Sequence, residues 1–200
     1  MLMAATLLTA SFAQEKRYGV ERAILQKNTV IGSMGVTQQT LSSIQYIDDY
    51  GRRESSETFM GVQGQMFTIF TLMKDGYAYT ANMAAKQGAK INMAAMTDGK
   101  TINYLNLTDE VKQKYQIEEK GNEQLLGKDC KLYGVTVTVQ GQNVKGTVWV
   151  WQGLPLKSSM NIAGNTVVEE VIEIREGAEI PKEKFELPEG INFVEVKPQM

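Results

Sequence analysis

Apolar and β-branched residues alternate with polar ones along most of the chain after Arg17. A repeat of two residues is typical of a strand whose two faces meet different surroundings. The clearest case is 131–140, where Tyr133, Val135, Val137 and Val139 share one face. This alternation returns in short runs that follow one another closely, which predicts an all-β domain and leaves little room for the helices of βαβ units.

Turn signals separate these runs at short intervals. Asp-Gly pairs at 75–76 and 98–99 are strong signals for two-residue hairpin turns, and the second one predicts a strand over 101–107. A third turn is expected at 163–165. The spacing predicts about ten strands in an antiparallel meander.

Two segments break this pattern. A short helix is predicted over 107–115, with Thr108 or Asp109 at its N-cap. Residues 82–96 combine helix-forming Ala and Met with an interrupting glycine, so the sequence leaves them open between strand, helix and flap.

A sheet of this many twisted strands curls, splits or closes instead of staying flat. The expected fold is mainly β: a single curved antiparallel sheet that forms an unclosed half β-barrel with a short helical or loop lid. No linker and no repeat of fixed period is visible, so residues 14–200 are predicted to form one domain.

Residues 1–13 carry no charge and are apolar or small. Ser11-Phe12-Ala13 follows the small-x-small rule that precedes a signal-peptidase cut, which predicts a signal peptide cleaved after Ala13. The expected location is therefore periplasmic or otherwise exported. No later run is apolar enough to predict a transmembrane segment in the mature chain.

The residue types that the chain lacks restrict its chemistry. The sequence has no histidine and a single cysteine, Cys130, which excludes a Ser-His-Asp triad, a Cys-His dyad and a histidine-bound zinc site. The adjacent carboxylates at 48–49, 118–119 and 169–170 would point to opposite faces of a strand and cannot converge on one bond. We therefore expect no enzyme activity, no catalytic residues, no metal and no cofactor.

The formal net charge of −2 gives no electrostatic reason for a nucleic-acid partner. Methionine is the unusual abundance, with 11 residues in the chain. Its flexible side chain suits a pocket for ligands of variable shape, and it equally fills gaps in an ordinary core. Trp149 and Trp151 share a strand face, and Tyr133 is expected beside them on the neighbouring strand. The residues predicted to line an apolar ligand cavity are Met60, Phe70, Leu72, Met73, Met83, Met93, Met96, Tyr133, Trp149 and Trp151.

Several short motifs resemble a known family. The segment 185–191, FELPEGI, resembles the F-x-x-P-x-G-hydrophobic ending of the LolA/LolB-like periplasmic lipoprotein-carrier superfamily. The segment 98–104, DGKTINY, resembles a hairpin of that superfamily, and 127–133 with 149–155 is similar to uncharacterised exported relatives of the fold. The carriers begin with an amphipathic helix, whereas a strand is predicted at this point of the mature chain.

The resemblance implies an unclosed barrel with a lid that holds acyl chains inside. The function it implies is that of a non-enzymatic periplasmic carrier or chaperone, which binds a lipid, a lipoprotein acyl chain or another apolar ligand on the concave face of the sheet. The expected partner is a lipid or an acylated protein. The alternative is an envelope structural or protein-interaction module, with envelope proteins as partners and no small-molecule ligand.

Overall fold

The structure is a computed structural model that describes residues 15–33, 36–62, 65–94, 102–139 and 142–196. The predicted signal peptide (1–13) and Met96 lie outside the described residues.

Twelve strands of the described chain form one sheet with one short helix beside it. Neighbouring strands run antiparallel, except that β12 lies parallel to β6. The sheet is curved and its outer strands, β7 and β12, do not pair with each other, so the predicted unclosed half-barrel is confirmed. The strands are β1 (Ala23–Ser33), β2 (Val36–Asp48), β3 (Arg53–Val62), β4 (Gln65–Lys74), β5 (Tyr77–Asn82), β6 (Gln87–Asn92), β7 (Glu118–Leu125), β8 (Lys128–Val139), β9 (Gln142–Trp151), β10 (Leu154–Ile162), β11 (Asn165–Glu176) and β12 (Asn192–Glu195). Their order across the sheet is β12-β6-β5-β4-β3-β2-β1-β11-β10-β9-β8-β7.

Local sequence signals account for the turns and the helix. Asp75 and Gly76 have φ of 52° and 78°, the pair of left-handed residues that a two-residue hairpin turn requires. The predicted helix is α1 (Asp109–Lys114), and the side chain of Thr108 accepts a hydrogen bond from the Val111 N–H at 3.3 Å. This confirms the expected N-cap.

Three sequence predictions need correction or completion. Residues 82–96, which were open between three states, contain strand β6. The strand predicted over 101–107 is wrong for its described part, because Asn103 makes a local turn by accepting a hydrogen bond from the Leu105 N–H at 3.0 Å. Strand β7 was missed because its sequence, EEKGNEQL, has no apolar alternation; its side chains are almost all exposed at the sheet edge.

The pairing register assigns each side chain to one of two faces. One face carries Leu25 and Ile47 and is covered by residues 15–20 and 102–117, which we call the lid. We call this side the lid face. The opposite side carries Ile24 and Tyr46, is covered by residues 178–193, and is called the tail face.

The cover of the tail face explains the C-terminal motif. Phe185 is buried against Ile24 and Tyr46. Further along, Phe193 packs edge-on against Tyr79 with ring centroids 5.4 Å apart. A Cβ on Gly88 would lie 2.6 Å from the Phe193 ring, so β6 needs glycine where β12 docks. The motif residues therefore hold the end of the chain on the sheet.

We predict that Phe185→Ala destabilises the protein by about 2–4 kcal/mol, because it leaves a cavity in the buried contact between the tail and the sheet. Leu187→Ala is the matched control, because Leu187 is 37% exposed whereas Phe185 is 9% exposed. Urea unfolding followed by tryptophan fluorescence measures both variants. Equal midpoints for the two variants would show that the tail contributes little to folding.

Candidate functional site

The residues predicted to line one apolar cavity lie on two faces of the sheet. Register places Trp149 opposite Lys157 on the tail face, whereas Tyr133 pairs with Val148 on the lid face. Tyr133 is on the neighbouring strand, as expected, but its side chain lies on the opposite face from the two tryptophans. The lid face carries Met60, Met73 and Tyr133, and the tail face carries Phe70, Leu72, Trp149 and Trp151. Met83 is an exposed turn residue, Met93 follows β6 and is half-buried, and Met96 lies outside the described residues.

The tail-face members of this set are engaged with neighbouring groups of the protein. Phe70 and Leu72 are buried in a cluster that Ile191 and Phe193 of the tail cover. The two tryptophans are half-buried against the core cluster that includes Cys130, Leu154 and Leu156, and they also contact charged side chains. The Trp149 Nε1–H donates to Glu123 at 2.8 Å, and the ammonium of Lys128 lies 4.4 Å from the Trp151 ring centre. A hollow on the lid face is thus lined by only part of the predicted set.

Two segments of the lid are joined to each other and to the sheet. The side-chain amide of Asn103 donates to the Lys16 carbonyl at 3.1 Å, and that of Asn106 donates to the Glu15 carboxylate at 3.0 Å. Tyr104 packs on Tyr133 with ring centroids 5.3 Å apart. Residues 15–20 and 102–117 therefore form one connected cover.

One carboxylate, that of Glu54, accepts side-chain hydrogen bonds from the first segment of this lid, whose backbone N–H groups also donate to the carbonyls of Tyr50 and Gln152. Arg17 Nη1 and the Tyr18 hydroxyl donate to Glu54 Oε2 at 2.6 and 3.1 Å, and Gln45 Nε2 donates to Oε1 at 2.5 Å. Burial and the neighbouring Glu54 charge raise the pKa of Tyr18, so the hydroxyl keeps its proton and remains a donor. Burial lowers the pKa of Arg17, but the charge and hydrogen bond of Glu54 together with Tyr18 outweigh this effect, and the pKa is raised overall. These charge-assisted bonds hold the lid to strand β3.

A cavity of about 400 Å³ lies beneath the second segment of the lid. Its volume falls within the range of small-ligand sites. Burial, together with Tyr133, raises the pKa of Tyr104 to about 12, which keeps this phenol neutral at physiological pH. Tyr133 and Trp151 both border this cavity, although their side chains lie on opposite faces of the sheet. The lining residues are Tyr104, Leu105, Asp129, Lys131, Tyr133, Val150, Trp151, Gln152 and Gly153.

Beyond the lid contacts, the lid face continues towards the hairpin ends with apolar side chains that are only half-buried. Met60 pairs with Phe67 on the adjacent strand, and Ile31 pairs with Val167. We call this region the open apolar region; its members are Ile31, Leu41, Met60, Phe67, Ile69 and Val167. Of the residues in the open apolar region, only Met60 is predicted from the sequence to line a cavity. Alternation shows which residues share a face, but not which part of that face is covered.

A band of polar side chains separates the open apolar region from the core under the lid. The Lys27 ammonium lies 2.9 Å from the Glu169 carboxylate. The side chain of Lys27 is 11% exposed and that of Glu169 is 45% exposed. We call the band the polar belt; its members are Lys27, Thr29, Ser43, Thr58, Ser158 and Glu169, all on the lid face by register. The surface available to a ligand is therefore apolar at one end and hydrogen-bonding in the middle.

Reactive groups are scarce in the described part of the chain. It holds no group of three or more Cys, Asp or Glu residues that could bind a metal ion. Cys130 is buried, and burial raises the pKa of its thiol, which suppresses the reactive thiolate.

Among the described helices, none has the length and apolar character that crossing a bilayer requires.

Comparison with known proteins gives matches at the level of structure. No family model and no curated protein matches the chain. An uncharacterized conserved protein from Thermus thermophilus is similar at 10% identity and a TM-score of 0.49, with 86% of this chain and 91% of that chain covered.

Two further similar structures carry names that match the sequence motifs. The LolA superfamily protein NE2245 from Nitrosomonas europaea is 11% identical, with 86% of this chain and 93% of that chain covered and a TM-score of 0.44. A putative outer membrane lipoprotein-sorting protein domain from Vibrio parahaemolyticus is 11% identical, with 82% and 89% covered and a TM-score of 0.42. These two structures carry names from the group of proteins that the sequence motifs resemble.

Proposed function

We propose that this protein is a non-enzymatic carrier or chaperone of an exported, periplasmic compartment, whose functional domain spans residues 14–200. Its ligand is a lipid, a lipoprotein acyl chain or a similarly apolar molecule held on the lid face without a cofactor. The observation that carries the proposal is the open apolar region, where Met60 and Phe67 remain half-buried on the face that the lid covers only in part. This arrangement provides both an apolar surface and a cover that can move.

The energetics favour a long chain over a small apolar molecule. Each buried methylene contributes about 0.8 kcal/mol, whereas association costs about 4–15 kcal/mol. A chain of about 5 to 19 methylenes is therefore needed before its burial exceeds the cost of binding. A ligand of this length extends over several strands, which suits a region formed by side chains of β1 to β4 and β11.

A protein-interaction module of the envelope is the second candidate. It is favoured by an apolar side chain near a hairpin end on the tail face, since Met66 is 70% exposed. Such exposed apolar groups are typical of contact surfaces for partner proteins. This module would leave the lid face without a small-molecule ligand.

We predict that the protein increases the fluorescence of N-phenyl-1-naphthylamine, an uncharged apolar probe, and that Phe67→Gln weakens the binding about tenfold. Loss of an aromatic contact of about 1.4 kcal/mol corresponds to this factor. Met66→Gln is the matched control, because Met66 neighbours Phe67 on the same strand but points to the tail face. Equal affinities of the two variants, or no fluorescence gain with the wild type, would contradict a ligand site on the lid face.

We predict that Glu54→Gln loosens the lid, because Arg17 and Tyr18 lose their charged acceptor. Trypsin should then cleave after Arg17 several times faster than in the wild type, and the fluorescent probe should bind at a higher rate. Glu173→Gln is the control, since Glu173 forms an exposed ion pair with Arg175 on the sheet, away from these contacts. An unchanged cleavage rate in Glu54→Gln would show that this carboxylate does not fix the lid.

A further inference from the structure

A charged pair lies in the middle of a surface that is otherwise suited to hydrocarbon. Lys27 and Glu169 belong to strands β1 and β11, and both side chains are on the lid face. Val171, buried under the lid, pairs with Lys27, while Val167 belongs to the open apolar region on the other side of the pair. A ligand that extends from the open apolar region towards the lid therefore crosses this pair.

The burial of Lys27 restricts what can be placed over it. An ammonium has three N–H donors, and the described residues supply its hydrogen bond through Glu169 alone. The remaining donors depend on water at a side chain that is already 11% exposed. A hydrocarbon laid across this point would remove that water and leave donors without acceptors, which is costly in an apolar environment.

The neighbouring side chains extend this requirement across the sheet. Ser43 pairs with Lys27 on one side and with Thr58 on the other, and Ser158 pairs with Glu169. Hydroxyl groups accept and donate hydrogen bonds but cannot neutralise a cation. An anionic oxygen placed at the centre of the polar belt would satisfy the ammonium and accept from the adjacent hydroxyls at the same time.

We propose that Lys27 binds the head group of the ligand, and that the ligand is an anionic amphiphile whose carboxylate or phosphate lies at the polar belt while its chain covers the open apolar region. This inference rests on the proposed function. The ligand displaces Glu169 in part as the acceptor of Lys27. Because Glu169 is 45% exposed, its carboxylate stays in contact with water when it gives up this contact.

Competition against N-phenyl-1-naphthylamine tests the head-group selectivity. The competitors share a twelve-carbon chain and differ in the head: dodecan-1-ol, dodecanoate, dodecyl phosphate and dodecyltrimethylammonium. We expect dodecanoate or dodecyl phosphate to displace the probe at about tenfold lower concentration than dodecan-1-ol. A difference between the two anions distinguishes a carboxylate head from a phosphate head. Equal potency of the alcohol and both anions, or a preference for the cation, would overturn the inference.

Variants assign the selectivity to Lys27. Lys27→Met should reduce the ratio between the alcohol and the anion to near one, whereas Lys157→Met should leave it unchanged. Lys157 is a matched control because its ammonium lies 3.3 Å from the carboxylate of Glu170 on the tail face. Glu170 is the residue next to Glu169 on strand β11. Retention of the full ratio in Lys27→Met would overturn the inference.

Glu169→Gln provides an independent variant with the opposite expected result. Removal of the competing carboxylate should strengthen binding of the anions several-fold and leave the alcohol unchanged. If Lys27→Met fails to fold, this variant decides, and a weakened or unchanged anion affinity overturns the inference. Failure of the proposed function has a different signature: neither the probe nor any competitor binds to the wild-type protein.

Discussion

An open sheet with two faces needs two covers, and this requirement governs the rest of the structure. The described strands form one layer, so each face must be shielded by segments that are not part of the regular strand sequence. The tail covers one face over β1 to β6 with buried aromatic side chains. The lid covers the other face at one end only, and this unequal coverage produces the half-buried apolar surface on which the candidate site depends.

Both covers are fastened to the same strand. Glu54 and Glu57 lie three residues apart on β3 and therefore point to opposite faces. Glu54 accepts hydrogen bonds from Arg17 and Tyr18 of the lid, while Glu57 accepts from Lys184 of the tail and from Tyr46, each at 2.8 Å. Burial lowers the pKa of Lys184, but Glu57 and Tyr46 together, through hydrogen bonds and charge, outweigh this effect and raise the pKa overall. Both covers add apolar anchors to their ion pairs: Tyr18 belongs to the core under the lid, and Phe185 and Phe193 pack the tail on the sheet.

Alternation and turn chemistry predicted the fold well because both are local. The two-residue turn at Asp75 and Gly76 and the cap at Thr108 need only neighbouring residues. The candidate site depends on register, which is not local: a shift of one residue moves a side chain to the other face. Alternation therefore predicts that Tyr133 is on the strand beside Trp149, but not that the two side chains lie on opposite faces, and it does not identify Leu41 and Phe67 as members of the open apolar region. Strand β7 was not predictable from alternation because both of its faces are exposed.

The polar belt gives a physical reason why the lid face stays incompletely filled. A core that closed over Lys27 and Glu169 with apolar side chains alone would bury a charged pair without further hydrogen bonds. Hydrophobic collapse of the lid along the whole face is therefore opposed at the polar belt, while contact with water remains unfavourable for the apolar side chains beyond it. A ligand that combines an apolar chain with a hydrogen-bonding head satisfies both regions at once. The residues of the polar belt, which prevent the lid from covering the whole face, thus also determine the chemistry of a ligand that can cover it.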